Sequence, residues 1–189
     1  VAESHAQERE RERLAQLASE LAAGGRPIRT IASDLSTVEG RQAVIRAAEE
    51  QPIDLLVNNA GLGWLGPVAE NPPEREAEMV QVNVAAPVEI TRAMLPGMIR
   101  RARDKGERCG AVFVASAAAF MPIPMFATYA ASKAFLLHYA EALAEELAQD
   151  PVAPRGDTIK KLKGWENLWR YRLGDYRLIY AAVPGSQVV

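Results

Sequence analysis

An α/β fold, a parallel sheet with flanking helices, is predicted for most of the chain, with a β-hairpin appended at its C-terminus. Three observations predict it. Short apolar runs that suit buried strands alternate with helical stretches from residue 28 to residue 148. One of those runs, residues 53–57, leads straight into Asn58, Asn59, Ala60 and Gly61, turn formers at the carboxyl end of a strand. The tail from residue 155 onward leaves this alternation and carries a net charge of +4, against −6 for the first 154 residues. That asymmetry divides the chain into a unit over 1–152 and a second piece over 153–189.

The 189 residues are 49% apolar, enough for one domain with a sizeable core. A single cysteine, Cys109, excludes an internal disulfide and points to a reducing compartment, so a cytoplasmic location is expected. The charged start, VAESHAQERERER, lacks the apolar centre of a signal peptide, and no stretch reads as a membrane span.

Taken in order, residues 4–23 place Leu14, Leu17 and Leu21 at helical steps, and Gly24 and Gly25 close that amphipathic helix. Residues 28–33 read as a strand. Ser36, with Glu39 three residues on, is a capping-box start for a helix to about Glu50, which Gln51 and Pro52 end. After strand 53–57 and a loop over 62–73 comes a long helix over 74–103, kinked or split by Pro87 and Pro96. Residues 111–115 form the next strand, and a helix then carries Leu136, Tyr139, Leu143 and Leu147 as an apolar stripe. His138 falls beside that stripe and reads as a packing or surface residue. In the tail, residues 168–173 and 176–183 form two strands joined by a turn at Gly174 and Asp175.

The chemistry concentrates between Ser116 and Lys133. Tyr129 and Lys133 stand four apart, so a helix stacks them on one face. A free tyrosine holds its proton to a pKa of about 10, and a neighbouring ammonium favours the phenolate. Ser116 follows a strand at the edge where open α/β sheets bind ligands, and its hydroxyl could hold a carbonyl oxygen while the tyrosine transfers a proton. A Tyr-x-x-x-Lys pair alone also describes a core-edge aromatic beside a solvated amine. Between Ser116 and Tyr129, Phe120, Met121, Ile123, Met125 and Phe126 suit a hydrophobic or mixed substrate.

In company these residues resemble the short-chain dehydrogenase/reductase family. Ser116, the step of thirteen to Tyr129, and YAASK match its Ser, Tyr and Lys pattern. NNAG matches its strand-end motif, Asn83 in VNVAAP its fourth catalytic residue, and Asp34 in SDLS its adenine-contacting aspartate. The likeness covers residues 1–151 and implies a Rossmann-like fold. It implies catalysis by Ser116, Tyr129, Lys133 and Asn83. It further implies contacts to NAD or NADP from Asp34, Leu35, Asn59, Ala60, Gly61, Tyr129 and Lys133, and a small carbonyl or alcohol substrate. Self-association as a homo-oligomer is implied as well. Left to the residues alone, Asn58 and Asn59 read as turn formers, Asp34 as a cap, and Asn83 as a mild helix cost.

The family's first strand and its glycine-rich pyrophosphate turn have no counterpart in these residues, so weak cofactor binding is expected of them. Glu3 would repel a 2′-phosphate and tilts the cofactor toward NAD. Beyond residue 154 the resemblance passes to the second half of RelE/ParE-type toxins, a ribosome-dependent RNA-cleaving fold. There Arg170, Arg172 and Arg177 would meet RNA with Trp169, Tyr171 and Tyr176 beside them. A solvated strand face is the plainer reading of the same residues. An RNA- or ribosome-binding toxin fragment and a non-catalytic fusion therefore stand as rival functions.

Overall fold

A computed structural model describes residues 2–22, 25, 27–106, 109–148, 160–161, 168–173 and 176–181, with only the backbone for 2–11, for 148 and for everything beyond. Helix α1 spans Ala2–Ala22, and Gly25 has a φ of 76°, in the left-handed region that glycine adopts without strain. The capping helix is α2 (Val38–Glu49). Strand β1 (Leu55–Asn58) is followed by α3 (Pro73–Val80), a π-helical turn over Gln81–Ala85, and α4 (Ala86–Lys105). Strand β2 (Gly110–Phe113), a 3₁₀ turn at Ala117–Phe120 and helix α5 (Ala127–Ala148) complete this part. The tail adds β3 (Lys160–Lys161), β4 (Leu168–Leu173) and β5 (Tyr176–Ala181).

Together the strands form a sheet in the order β1-β2-β5-β4-β3. β1 and β2 are parallel, with Leu56 opposite Ala111 and Asn58 opposite Phe113. β5 joins β2 in parallel through Val112 and Ile179 and pairs antiparallel with β4. The expected turn at Gly174 and Asp175 lies outside the described residues.

Successive strand side chains point to opposite faces, and here the two faces differ. On one, Leu56 packs against a core of Ile45, Ala86, Ile90, Met94 and Met98, which welds α2 and α4 to β1. Phe113, 1% exposed, packs with Leu136, Ala140 and Ala144 of α5; of the stripe expected from the sequence, Leu136 is in this core, Tyr139 and Leu143 pack partly buried against it, and Leu147 is not part of it. On the other face Leu55 and Val57 are 61% and 52% exposed.

Two local expectations are corrected. Residues 28–33 form no strand; Ile28 and Ile31 stay exposed, because an extended segment gains from strand geometry only when a neighbour takes up its backbone hydrogen bonds. The cap of α2 is Thr37, not Ser36: Thr37 Oγ1 accepts from the Gly40 amide at 3.0 Å. Ser36 turns its hydroxyl instead to Asp34 Oδ1, 2.7 Å away.

The split in the long helix is where proline demands it. Pro87, near the start of α4, has no N–H for the carbonyl four residues earlier, that of Asn83, and the π turn sits immediately before it. Pro96 lies inside α4 without ending it.

Candidate active site

β1 ends at Asn58, whose Nδ2 donates to Thr91 Oγ1 on α4 at 3.1 Å, so the Asn59–Gly61 loop leaves the sheet from an anchored point. The π turn brings Asn83, 0% exposed, against that loop: its Oδ1 accepts from the Leu62 amide at 2.8 Å and its Nδ2 donates to the Leu62 carbonyl at 2.8 Å. Helix α5 supplies Tyr129 and Lys133, 7% and 4% exposed.

The stacking expected of Tyr129 and Lys133 is present: Lys133 Nζ lies 5.8 Å from the centre of the Tyr129 ring, within cation–π range. The same ammonium donates to the Val114 carbonyl just past β2, 3.0 Å away. Burial lowers its pKa below the usual lysine value, because desolvation penalises the charged form. Tyr129 itself is held in a cluster with Met79, Ala118 and Ala130, its ring 4.4 Å from that of Phe126.

Ser116, 9% exposed, caps the 3₁₀ turn, its Oγ accepting from the Ala118 amide at 3.2 Å. That bond uses a lone pair and leaves the hydroxyl proton to give. Its turn packs on α5 through Ala118, in the cluster that holds Tyr129.

At Gly61 a side chain would be tight: an added Cβ would stand 3.0 Å from Lys133 Nζ and 3.4 Å from Asn83 Oδ1, so the ammonium would have to give way slightly. Gly61→Ala is therefore expected to nudge the ammonium and to lower kcat by up to about tenfold, less than the roughly 100-fold of a full 1 Å misplacement. Steady-state kinetics beside a melting curve would check it, with wild-type turnover the contrary result.

Of the remaining expected positions, Leu35, Asn59 and Ala60 line one cavity of about 190 Å³ beneath β1. Asp34 is exposed and close by in sequence, but its Oδ1 already accepts from the Ser36 amide at 2.9 Å and from the Ser36 hydroxyl, the turn-forming role read from the residue alone. A second groove of about 640 Å³ is lined by Phe120, Met121 and Ile123 with Ala130 and Ala134 of α5. Met125, with a φ of 63°, is the positive-φ non-glycine among the described residues, and its carbonyl accepts from the Gly66 amide at 2.8 Å. His138 lies on the surface near Glu141, 3.8 Å away.

Sequence reasoning missed Ser132, 3% exposed, which receives the second N–H of Asn83 at 2.9 Å. A serine where alanines flank it on a buried helix was the available signal. It missed Arg41 too, buried beside α4, where Nε meets Glu89 Oε2 at 3.0 Å and Nη1 donates to the Leu35 and Ser36 carbonyls. The side chains of Glu3, Arg170, Arg172 and Arg177 lie outside the described residues. Among those described, no group of His, Cys, Asp and Glu could hold a metal ion, and no helix is long and apolar enough to cross a membrane.

Comparison with known proteins bears on this geometry. The short chain dehydrogenase family pattern matches residues 2–154. A short chain dehydrogenase of Pseudocercospora fijiensis is 37% identical over 140 residues, 71% of this chain and 43% of that protein. A very-long-chain 3-oxoacyl-CoA reductase of Schizosaccharomyces pombe is 32% identical over 151 residues, 76% and 44% of the two lengths. This chain thus spans less than half of those two curated relatives. Among solved structures, a metagenomic short-chain oxidoreductase in complex with NADP superposes with a TM-score of 0.65 at 32% identity, covering 75% of this chain and 62% of that one. A Sphingobium yanoikuyae short-chain dehydrogenase with NADPH gives 0.64 at 27% identity, covering 71% and 52%. Nothing in these comparisons supports the toxin-like reading of the tail: the family match ends at residue 154, and no relative named here is a toxin.

Proposed function

The chain belongs to the short-chain dehydrogenase/reductase family, and from that premise we propose that it carries out proton and hydride exchange at a carbonyl or alcohol carbon, with NAD or NADP as the cofactor. One observation carries the reading: the buried side chains of Tyr129, Lys133 and Asn83 meet beside the exposed Gly61 at the carboxyl end of β1, where a ligand of an open α/β sheet belongs.

The residues fit a nicotinamide cofactor. Leu35, Asn59 and Ala60 share the cavity beneath β1, with Gly61 leading from it to the Lys133 ammonium. In this reading Leu35, Asn59 and Ala60 with Asp34 hold the adenosine end, and Lys133 holds ribose hydroxyls. When bound, the cofactor supplies or accepts the hydride. Ser116 gives its hydroxyl proton to the substrate oxygen and fixes it. Tyr129 moves a proton at that oxygen as general acid or base, the Lys133 ammonium stands beside its ring, and Asn83 completes the proton relay toward Lys133.

The substrate class follows from two supports. The groove beside the site is walled by Phe120, Met121 and Ile123, and several relatives are named very-long-chain 3-oxoacyl-CoA reductases. A ketone on a long apolar chain is the substrate proposed. The division at residue 152 is kept as part of this proposal, supported by the end of the family match at residue 154.

The test is oxidation of NADPH, the cofactor named in two of the solved relatives, with 3-oxoacyl thioesters of rising chain length. Turnover that rises with chain length is expected. No NADPH oxidation above buffer with any of them would overturn the reading.

A further inference from the structure

We infer that Ser132 is a positioning residue for the proposed reaction, the hydroxyl that fixes Asn83 against the helix carrying Tyr129 and Lys133; this rests on the oxidoreductase reading above. The geometry assigns each proton. Ser132 Oγ donates to the Tyr129 carbonyl at 2.7 Å, three residues back on the same helix. Its proton is thereby committed, so toward Asn83 it can only accept, and Asn83 Nδ2 is the donor at 2.9 Å. The other Nδ2 proton goes to the Leu62 carbonyl, and Oδ1 takes the Leu62 amide. Only one orientation of the Asn83 amide satisfies all three partners.

A core serine content with its back-bond to the helix is the plain alternative. Ser132 differs in that its second partner comes from another segment and is itself fully buried. α5 fills much of its buried side with alanine, at Ala130, Ala140 and Ala144, so packing alone gives no reason for a hydroxyl here. A serine in a helix interior costs slightly relative to alanine. What it returns is a join of three pieces: the π turn at Asn83, the loop after β1 at Leu62, and α5 at Tyr129. Gly61, next to Leu62, is where the same loop nears the Lys133 ammonium. Loss of the hydroxyl strands one Asn83 N–H in a buried place, and the amide must turn or the loop must move.

The experiment compares wild type, Ser132→Ala and Ser132→Thr by NADPH-dependent ketone reduction, melting temperature and amide hydrogen exchange at Leu62. Ser132→Ala is expected to lose roughly ten- to a hundredfold in kcat, as small misplacements at a reacting centre do. Its KM for NADPH should stay within about a factor of three, since the Leu35–Asn59–Ala60 cavity is untouched. Exchange at Leu62 should quicken at least about tenfold, the loss of a kcal/mol-scale hold on one bond. Ser132→Thr, which keeps the hydroxyl, should recover most of both. Unchanged kcat in Ser132→Ala, or unchanged Leu62 exchange, overturns the inference. Should wild type itself show no turnover, the oxidoreductase reading fails. Leu62 exchange then decides alone whether Ser132 positions Asn83.

Discussion

Tyr129→Phe is expected to lower ketone reduction by about 10²- to 10⁴-fold, the range a positioned general acid or base contributes. The fold should be indifferent to the change. The ring sits among Met79, Ala118 and Ala130 and lies 4.4 Å from Phe126, contacts that phenylalanine reproduces atom for atom. What disappears is the phenolic hydroxyl, and with it the proton that the proposed chemistry moves. Rates measured at saturating NADPH, alongside a melting curve, separate the two effects. A variant that retains a tenth of wild-type turnover would remove Tyr129 from the chemistry.

Lys133→Met is expected to move activity and stability in opposite directions. Turnover should fall at least about a hundredfold, because one substitution removes the cation beside Tyr129 and the group proposed to hold ribose hydroxyls. Stability should rise near neutral pH. Lys133 is 4% exposed, and no carboxylate among the described residues pairs with it, so its charge is buried at a cost. The sign follows from its depressed pKa. The unfolded chain holds the lysine proton up to about 10.5, whereas the folded chain releases it earlier. Between those values the unfolded state binds more protons, so wild-type stability climbs with pH, and below the folded pKa the full penalty applies. Methionine should abolish that climb. Denaturant melts near neutrality and again approaching pH 10.5 would read it; parallel curves for the two proteins would show that the amine carries no burial cost.

Tyr129, Lys133 and the loop after β1 could be singled out in the sequence by local signals, whereas Asn83, read alone, is only a mild helix cost and entered through the family resemblance. Tyr129 and Lys133 are one helical turn apart, and NNAG is a turn written in turn formers, so no knowledge of distant contacts was needed. The segment at 28–33 misled for the opposite reason. Its apolar residues favour extension, but a strand exists only through partners, and its pattern says nothing of whether a neighbour is there. Ser36 and Thr37 are both good caps, and the choice between them turned on Asp34 recruiting the Ser36 hydroxyl, a competition no spacing rule encodes. Ser132 and Arg41 escaped because each acts through a residue tens of positions away, Asn83 and Glu89.

The π turn at Gln81–Ala85 has a consequence for how this region tolerates change. Each residue advances an α-helix by about 100°, so one extra residue there sets the phase of everything after it. Ala86, Ile90, Met94 and Met98 face the core in that phase, while Met79 faces the tyrosine cluster in the phase before it. Removal of a single residue from the turn would leave a perfectly ordinary helix with one half rotated out of the protein. In this stretch the number of residues is more tightly fixed than their kind, and insertions or deletions should be purged where exchanges are absorbed.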